Sequence, residues 1–404
     1  MNILYICHRF PYPPKRGGKI RPFNMIRHLG ARGHRVTVCS LVRSAAEAEE
    51  GRGIAPHCAA FEMGHVSEPV QYARMVARLP LPTPSSMGYF YSAELAAKVR
   101  HLLATQTWDL IFVHCSSVAQ YVEHVRDVPK ILDFGDMDSQ KWLEYAQRKP
   151  FPLSLGYRLE GTKMLWAEKR LARRFDLCTA TTRAEWETLE GYATGAATDW
   201  FPNGVDADYF SPGHEPFDPY TVSFIGRMDY YPNQECMARF CAEVWPLVQA
   251  REARMKLVIV GADPSPEMRA LGQLPGVTVT GSVPDVRPFV RSSALMVAPL
   301  AIARGTQNKI LEAMAMGVPV VTSRIAAGGV DADPETHLLV ADSAQEITQA
   351  ILRIIENPAE RQRLAQAGRQ RMLSHHAWPR SMQRLDALIA RCRESFAPLI
   401  GRIA

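Results

Sequence analysis

The chain has 404 residues, 47% of them apolar and 22% charged, and 47 basic against 41 acidic side chains leave a formal charge of +6. This is a globular composition that excludes wholesale disorder, and the length suits two domains, each large enough to bury a core. The small positive surplus fits an anionic ligand or a membrane surface but not the basic stripe of a nucleic-acid binder, so no nucleic-acid partner is expected.

Eight cysteines are scattered along the chain without a CxxC pair, which argues against a disulfide framework or a zinc ribbon. Most sit in apolar runs, as Cys7 and Cys39 do, where a thiol acts as a small buried hydrophobe and implies a reducing, cytoplasmic compartment. Met1 to Cys7 lacks a basic flank and is cut short by His8-Arg9, so it reads as a first strand and not as a signal peptide. No run reaches the roughly 18–20 apolar residues of a membrane-spanning helix. The expectation is a cytoplasmic protein that at most sits on the inner face of the membrane.

Short apolar runs alternate with helical stretches in two series. The first comprises Ile3 to Cys7, Val36 to Leu41, Leu110 to His114, Lys130 to Asp133, Leu177 to Thr181 and Thr198 to Pro202. The second comprises Val222 to Gly226, Lys256 to Gly261, Val277 to Gly281, Leu295 to Pro299, Pro319 to Ser323 and Leu338 to Ala341. Such runs read as parallel strands buried on both faces, hence two doubly wound α/β domains. Asn203 to Tyr220 holds three prolines and two glycines and marks the boundary. The domains are therefore placed at 1–204 and 205–377. A last helix at about 378–404, with Met382, Leu385, Leu388, Ile389 and Cys392 on one stripe, is expected to pack back on the first domain.

After the first strand, Lys15-Arg16-Gly17-Gly18-Lys19 precedes a helix expected over Ile20 to Ala31. Paired glycines before a helix let backbone N–H groups meet an anion, and Lys15, Arg16, Lys19 and Arg21 add positive charge. The plainer alternative is a solvated surface loop. This is not a P-loop, because Ile20 replaces the Ser/Thr and Pro13 the first glycine, and no GxGxxG follows the strand. A mononucleotide kinase and a Rossmann dehydrogenase both lose support.

Asp-x-Asp occurs three times, at Asp136/Asp138, Asp206/Asp208 and Asp331/Asp333. The repetition identifies no site; the last two read as turn or capping chemistry, while a divalent cation on Asp136 and Asp138 is a lesser alternative. Asp138 could equally cap a helix beginning near Ser139. His114 ends its strand, where open α/β sheets present ligands, so a site histidine and a core histidine both stand open.

In the second domain, Gly226-Arg227 ends a strand, and Arg304-Gly305-Thr306 leads into a helix carrying Lys309 and Glu312 on one face. That spacing would let a cation meet a diphosphate while a carboxylate takes ribose hydroxyls; an ordinary i, i+3 surface ion pair is the plain alternative. Lys309-x-x-Glu312-Ala-Met-Ala-x-Gly317-x-Pro319-Val-Val, with Pro202-Asn-Gly-Val-Asp206 and Phe224-x-Gly226-Arg227, resembles glycosyltransferase family 4. The resemblance covers nearly the whole chain. It implies a GT-B fold, two Rossmann-like domains facing across a cleft, and a retaining hexosyltransferase that moves a sugar from a nucleotide-diphosphate donor without a metal or other cofactor.

The resemblance also implies roles. Arg227 and Lys309 would clamp the diphosphate, and Glu312 would bind the ribose. Gly17 and Gly18 would approach the distal phosphate and sugar, His114 would lie beside the sugar, and backbone near Ser282 and Val283 would read the base. Arg304 stands where family members carry a glutamate, seven residues separating it from Glu312, and Gly305 and Thr306 keep a close backbone approach there. Lys15, Arg16, Arg21, Asp136 and Asp138 fall to the acceptor side. The His8 to Arg21, Asp136 to Trp142 and Arg304 to Glu312 segments further resemble a subgroup associated with exopolysaccharide and PEP-CTERM/exosortase gene clusters, which implies a glycan or lipid-linked acceptor. A nucleotide-sugar 2-epimerase of the same fold, a silent nucleotide-sugar-binding scaffold, and a membrane adaptor using the Lys15–Arg21 cluster and the basic last helix are the competing readings.

Overall fold

A computed structural model describes residues 1–14, 17–214 and 216–396. The expectations placed on Lys15 and Arg16 lie outside the described residues. The chain forms two compact units, Met1–Phe201 with Met382–Ala404, and Pro202–Ser381.

The first unit is built on a seven-stranded sheet. Its strands are β1 (Asn2–Cys7), β2 (Arg35–Val42), β3 (Ala60–His65), β4 (Leu110–His114), β5 (Lys130–Gly135), β6 (Leu177–Ala180) and β7 (Thr198–Trp200). They lie in the order β3-β2-β1-β4-β5-β6-β7 and pair in parallel throughout. β4 and β5 are buried along their whole length, as the continuous apolar run of a doubly covered parallel strand requires. β3 is the strand that apolar pattern missed. As an edge strand reading Ala-Phe-Glu-Met-Gly-His it is half exposed, so it carries no run of core residues.

The second unit holds β8 (Asp218–Ile225), β9 (Lys256–Val260), β10 (Val277–Val279), β11 (Ser293–Ala298), β12 (Val320–Thr322) and β13 (Leu339–Val340). Their order is β10-β9-β8-β11-β12-β13, again parallel. Both sheets thus wind outward in two directions from their first strand. That reversal opens a crevice at the carboxyl ends of β1 and β4 in one unit, and of β8 and β11 in the other, where such sheets bind ligands.

The boundary differs from the expected one. Pro202 to Val205 belongs to the second unit, where Val205 N donates to His376 O at 2.7 Å and Ser381 Oγ to Pro202 O. Gly204 lies so close to Trp378 that a Cβ there would meet the indole at 2.5 Å. The chain changes unit at Phe201/Pro202 and again within the last helix, Trp378–Ser395, after Ser381. From Met382 to Ser395 that helix packs on the first unit, and the part expected beyond residue 396 lies outside the described residues. Leu385, Leu388, Ile389 and Cys392 are buried, Asp386 meets His28 at 2.9 Å and Arg391 meets Asp199 at 2.8 Å.

Candidate active site

In the first unit the site is set by strand register. Cys7 of β1, His114 of β4 and Asp133 of β5 stand side by side across the sheet. Asp133 is fully buried and accepts four hydrogen bonds. Arg21 grips both oxygens through Nε at 2.9 Å and Nη2 at 3.0 Å, Thr179 Oγ1 donates at 2.9 Å, and His114 Nδ1 lies at 2.7 Å. Burial alone would raise the Asp133 carboxyl, but the Arg21 and His114 charges and hydrogen bonds hold it well below the usual carboxylate range. An ionised Asp133 makes His114 Nδ1 the donor, which leaves Nε2 as the ring's other interacting atom.

Two residues beside His114 depart from ordinary backbone geometry. Cys115, directly after it, has φ of 79°, and Gly135 has φ of 72° with the position of a Cβ only 3.6 Å from His114 Cε1. A non-glycine residue at positive φ costs of order 1–3 kcal/mol and is held there by its surroundings. His8, one residue past β1, brings its ring to 5.8 Å from the His114 ring, and its buried Nδ1 has no hydrogen-bond partner. Burial, and next the neighbouring His114 and Arg9, push the His8 pKa well down, so its ring is neutral at pH 7. The histidine at the end of β4, open to either a site or a core reading from sequence, is held in one orientation by a carboxylate.

Gly17 and Gly18 are exposed and are the first two residues of the helix Gly17–Ala31, which starts before Ile20. A Cβ at Gly18 would lie 3.7 Å from the His8 ring, so this helix start stands against the same crevice. The neighbouring basic side chains are not free to meet a ligand as expected. Arg21 is 2% exposed, committed to Asp133 and stacked 3.7 Å over the Phe201 ring, and Lys19 pairs with Glu47 at 2.9 Å. Arg21 is therefore a positioning residue for Asp133 and not an acceptor contact. Beside this site, at the ends of β1 and β2, an open pocket of about 410 Å³ is lined by His8, Arg9, Lys19, Arg43 and Glu47.

Asp136 accepts from Thr181 Oγ1 at 3.0 Å. Asp138 is the first residue of the helix Asp138–Arg148, whose N-cap is Met137, so Asp138 is not the cap. Burial raises the Asp138 carboxyl against the pull of Lys141. Among the described residues, the side chains near enough to share a cation are His8, His114 and Cys115; the Asp136–Asp138 pair does not belong to such a group.

In the second unit, β8 runs into Gly226-Arg227, and the helix Asn308–Ala315 places Lys309 in its first turn. Asn233 joins the two: its Oδ1 accepts from Lys309 Nζ at 2.6 Å and its Nδ2 donates to Arg227 O at 2.8 Å. Lys309 Nζ also sits 4.2 Å over the Phe224 ring. A side chain at 226 would crowd this cluster, since a Cβ there would be 2.7 Å from Asn233 and 3.1 Å from Lys309 Nζ. Burial lowers Lys309 to about 8 and raises Glu312 to about 7. Both side chains are half-buried, and the Lys309 amine lies beside the Gly226 backbone, so this is not an ordinary exposed ion pair.

The Arg227 guanidinium is held by Asp229 and by Asp263, the latter at 3.1 Å. Gly305 has φ of 60°, and the next residue, Thr306, has a buried Oγ1 with no hydrogen-bond partner. Arg304 is half-buried, and its carbonyl accepts from Gln307 at 3.1 Å. Ser282 is exposed and Val283 half-buried just after β10, next to Gly281 at φ of 72°. Of the expected donor-side residues, Arg227, Ser282, Val283, Arg304, Gly305, Thr306, Lys309 and Glu312 lie in the second unit on segments that follow β8, β10 and β11, while Gly17 and Gly18 lie in the first unit.

Residue patterns missed Asp133, His8, Asn233 and the Asp229/Asp263 pair. Asp133 is a charged residue inside a buried strand, a signal that could have found it. Asn233 carried no signal, because what selects it is the fold bringing it to Lys309.

Two family models match the chain: a glycosyl transferase 4-like domain over residues 16–204 and glycosyl transferases group 1 over residues 219–357. Among solved structures, sucrose-phosphate synthase from Thermosynechococcus elongatus superposes with a TM-score of 0.72 at 18% identity, over 98% of this chain and 100% of that one. Anabaena HepE in complex with UDP gives 0.68 at 16%, over 97% and 100%. S. aureus TarM gives 0.67 at 11%, over 96% and 100%. At these identities the likeness is one of fold: two parallel-sheet α/β domains of the GT-B type.

Proposed function

Because the chain belongs to the glycosyltransferases, with a group 1 domain following a 4-like domain, we propose that it moves a sugar, with retention of configuration, from a nucleoside-diphosphate sugar to a hydroxyl of a glycan or lipid-linked acceptor. The observation that carries this reading is the Lys309–Asn233–Gly226 cluster, a desolvated amine held against a glycine backbone, with Glu312 one turn further along the helix. HepE was solved with UDP and with UDP-glucose, which supports a uridine diphosphate sugar as donor. The resemblance to exopolysaccharide transferases supports a role in building a bacterial surface glycan on the cytoplasmic side.

In this reaction the bond from the anomeric carbon to the diphosphate oxygen breaks and a bond from that carbon to the acceptor oxygen forms on the same face. The acceptor proton passes to a phosphate oxygen of the leaving group. Lys309 and Arg227 stabilise the charge that builds on that diphosphate, and no metal is needed. For Arg227 this means exchanging Asp229 and Asp263 for phosphate oxygens. Glu312 accepts from the ribose hydroxyls, backbone at Ser282 and Val283 reads the base, and the Arg304-Gly305-Thr306 turn approaches the sugar, with the Thr306 hydroxyl seeking a partner there. Within the first unit, Asp133 fixes the His114 ring with Nε2 as the atom offered to a substrate, and the Gly17-Gly18 helix start offers backbone donors beside it.

The test is sugar transfer from a panel of radiolabelled UDP-sugars to a lipid extract in the presence of EDTA. Lys309→Ala should lower turnover by about 10²–10³. Label reaching the lipid only when acceptor is present separates transfer from epimerisation. Turnover of Lys309→Ala within a few-fold of the parent would contradict the assignment.

A further inference from the structure

Two touching segments of the first unit hold large apolar side chains in solvent. On the helix Leu153–Ala172, Leu155, Leu159 and Trp166 are 61%, 46% and 73% exposed. Their spacing puts them on one face, opposite the face that packs Tyr157 on Trp142 at 5.6 Å and Gly161 on Leu143. Phe151, just before the helix, is 80% exposed. Lys163 of the same helix donates to the carbonyls of Arg78 and Leu79, at 3.3 and 2.6 Å, and Glu160 accepts from the Ser85 and Ser86 amides. The stretch carrying exposed Leu79 and Leu81 therefore lies alongside. Soluble chains scatter their exposed apolar side chains; six large ones on adjoining segments mark an interaction surface.

The charge around this face names the partner. Residues 148–174 contain eight Lys and Arg and two Glu; of the basic residues, Arg148 pairs with Glu144 at 3.7 Å and Arg170 with Glu123 at 3.4 Å, both glutamates lying outside this stretch. The two glutamates within it are engaged with the protein, Glu168 buried on Ser139 and Tyr192, Glu160 on the Ser85 and Ser86 amides. Arg158 and Arg173 are exposed and border the apolar stripe. Of the basic positions first expected to meet a membrane, Lys19 pairs with Glu47, Arg21 with Asp133 and Arg391 with Asp199, while Lys15 and Arg16 lie outside the described residues.

We propose that the exposed face of the Leu153–Ala172 helix and the neighbouring Leu79–Leu81 stretch dock this protein on an anionic lipid bilayer. Trp166 and Phe151 sit at headgroup level, the leucines reach the acyl chains, and the arginines face acidic headgroups. The inference deepens the reading of a lipid-linked acceptor, which it rests on, yet its test needs no turnover.

The full chain is floated with vesicles of phosphatidylglycerol and phosphatidylethanolamine, or of phosphatidylcholine alone, at low and high salt, with UDP affinity measured on the same samples. The parent should float with the anionic vesicles and less so at high salt. Leu155→Glu with Trp166→Glu should lower the bound fraction about tenfold or more, and Arg158→Glu with Arg173→Glu should remove its salt dependence, both with unchanged melting temperature and UDP affinity. Failure of the parent to float, or flotation of both variants like the parent, overturns the proposal. So does a parent that is dimeric by light scattering, does not float, and becomes monomeric with Leu155→Glu and Trp166→Glu, since the face would then meet a second copy. UDP affinity that survives any of these results leaves the donor site standing, and loss of UDP binding in a parent that floats counts against the donor reading alone.

Discussion

Lys309 and Glu312 have each been moved towards neutrality by burial, to about 8 and about 7. A diphosphate requires Lys309 charged, and ribose hydroxyls are best accepted by Glu312 ionised. Above pH 8 the free protein must take up a proton at Lys309 to bind, and below pH 7 it must release one from Glu312, so affinity for UDP falls on both sides of a window near pH 7 to 8. The expected result is a dissociation constant that rises about tenfold per unit above pH 8. Calorimetry at pH 6, 7.5 and 9 reads this directly, and a constant that stays flat from 7.5 to 9 would show that the lysine does not carry the contact. At this scale the sequence located strand ends, putting His114 at the end of β4 and Arg227 just past β8. It was silent on Asn233 and mistaken about Arg21, because spacing along the chain does not reveal which charge another buried charge has already claimed.

The Gly226-Arg227 turn depends on the packing of its neighbouring element. Gly261 follows β9, and a Cβ there would fall 1.7 Å from the Gly226 carbonyl oxygen; no rotamer change relieves a clash with backbone. Gly261→Ala must shift β8 against β9, at a cost of about 1–3 kcal/mol or more, and displaces Gly226 from Lys309. Gly156→Ala is the control: Gly156 lies in the helix Leu153–Ala172 with open space around it, so alanine there should be neutral or stabilise by about 0.5–1 kcal/mol. Urea melts of both variants, with UDP binding, check the contrast. Equal midpoints would mean that the turn yields without cost. Elements with continuous apolar runs were readable in advance because a parallel strand buried on both faces has only apolar positions to fill. β3 escaped because an edge strand need not be apolar, and the Gly17–Ala31 helix started early because glycine was taken as loop rather than as a helix start.

For the whole molecule, the twofold recurrence of strand and helix was enough to give two parallel α/β domains, and the two sheets repeat one strand order. The boundary was less readable. Proline and glycine between Asn203 and Tyr220 marked irregular chain correctly, but Pro202 to Val205 is bound to His376, Trp378 and Ser381, partners more than 170 residues away in sequence. The donor site proposed for the second unit is organised by Lys309 and needs no metal. It is tested most directly by titrating UDP and UDP-glucose into the full chain and its Lys309→Ala variant by calorimetry at pH 7.5 with EDTA. Saturable binding by the parent, weakened about 100-fold by Lys309→Ala, is the result predicted; no saturable binding to the parent, or equal affinity in the variant, would contradict it.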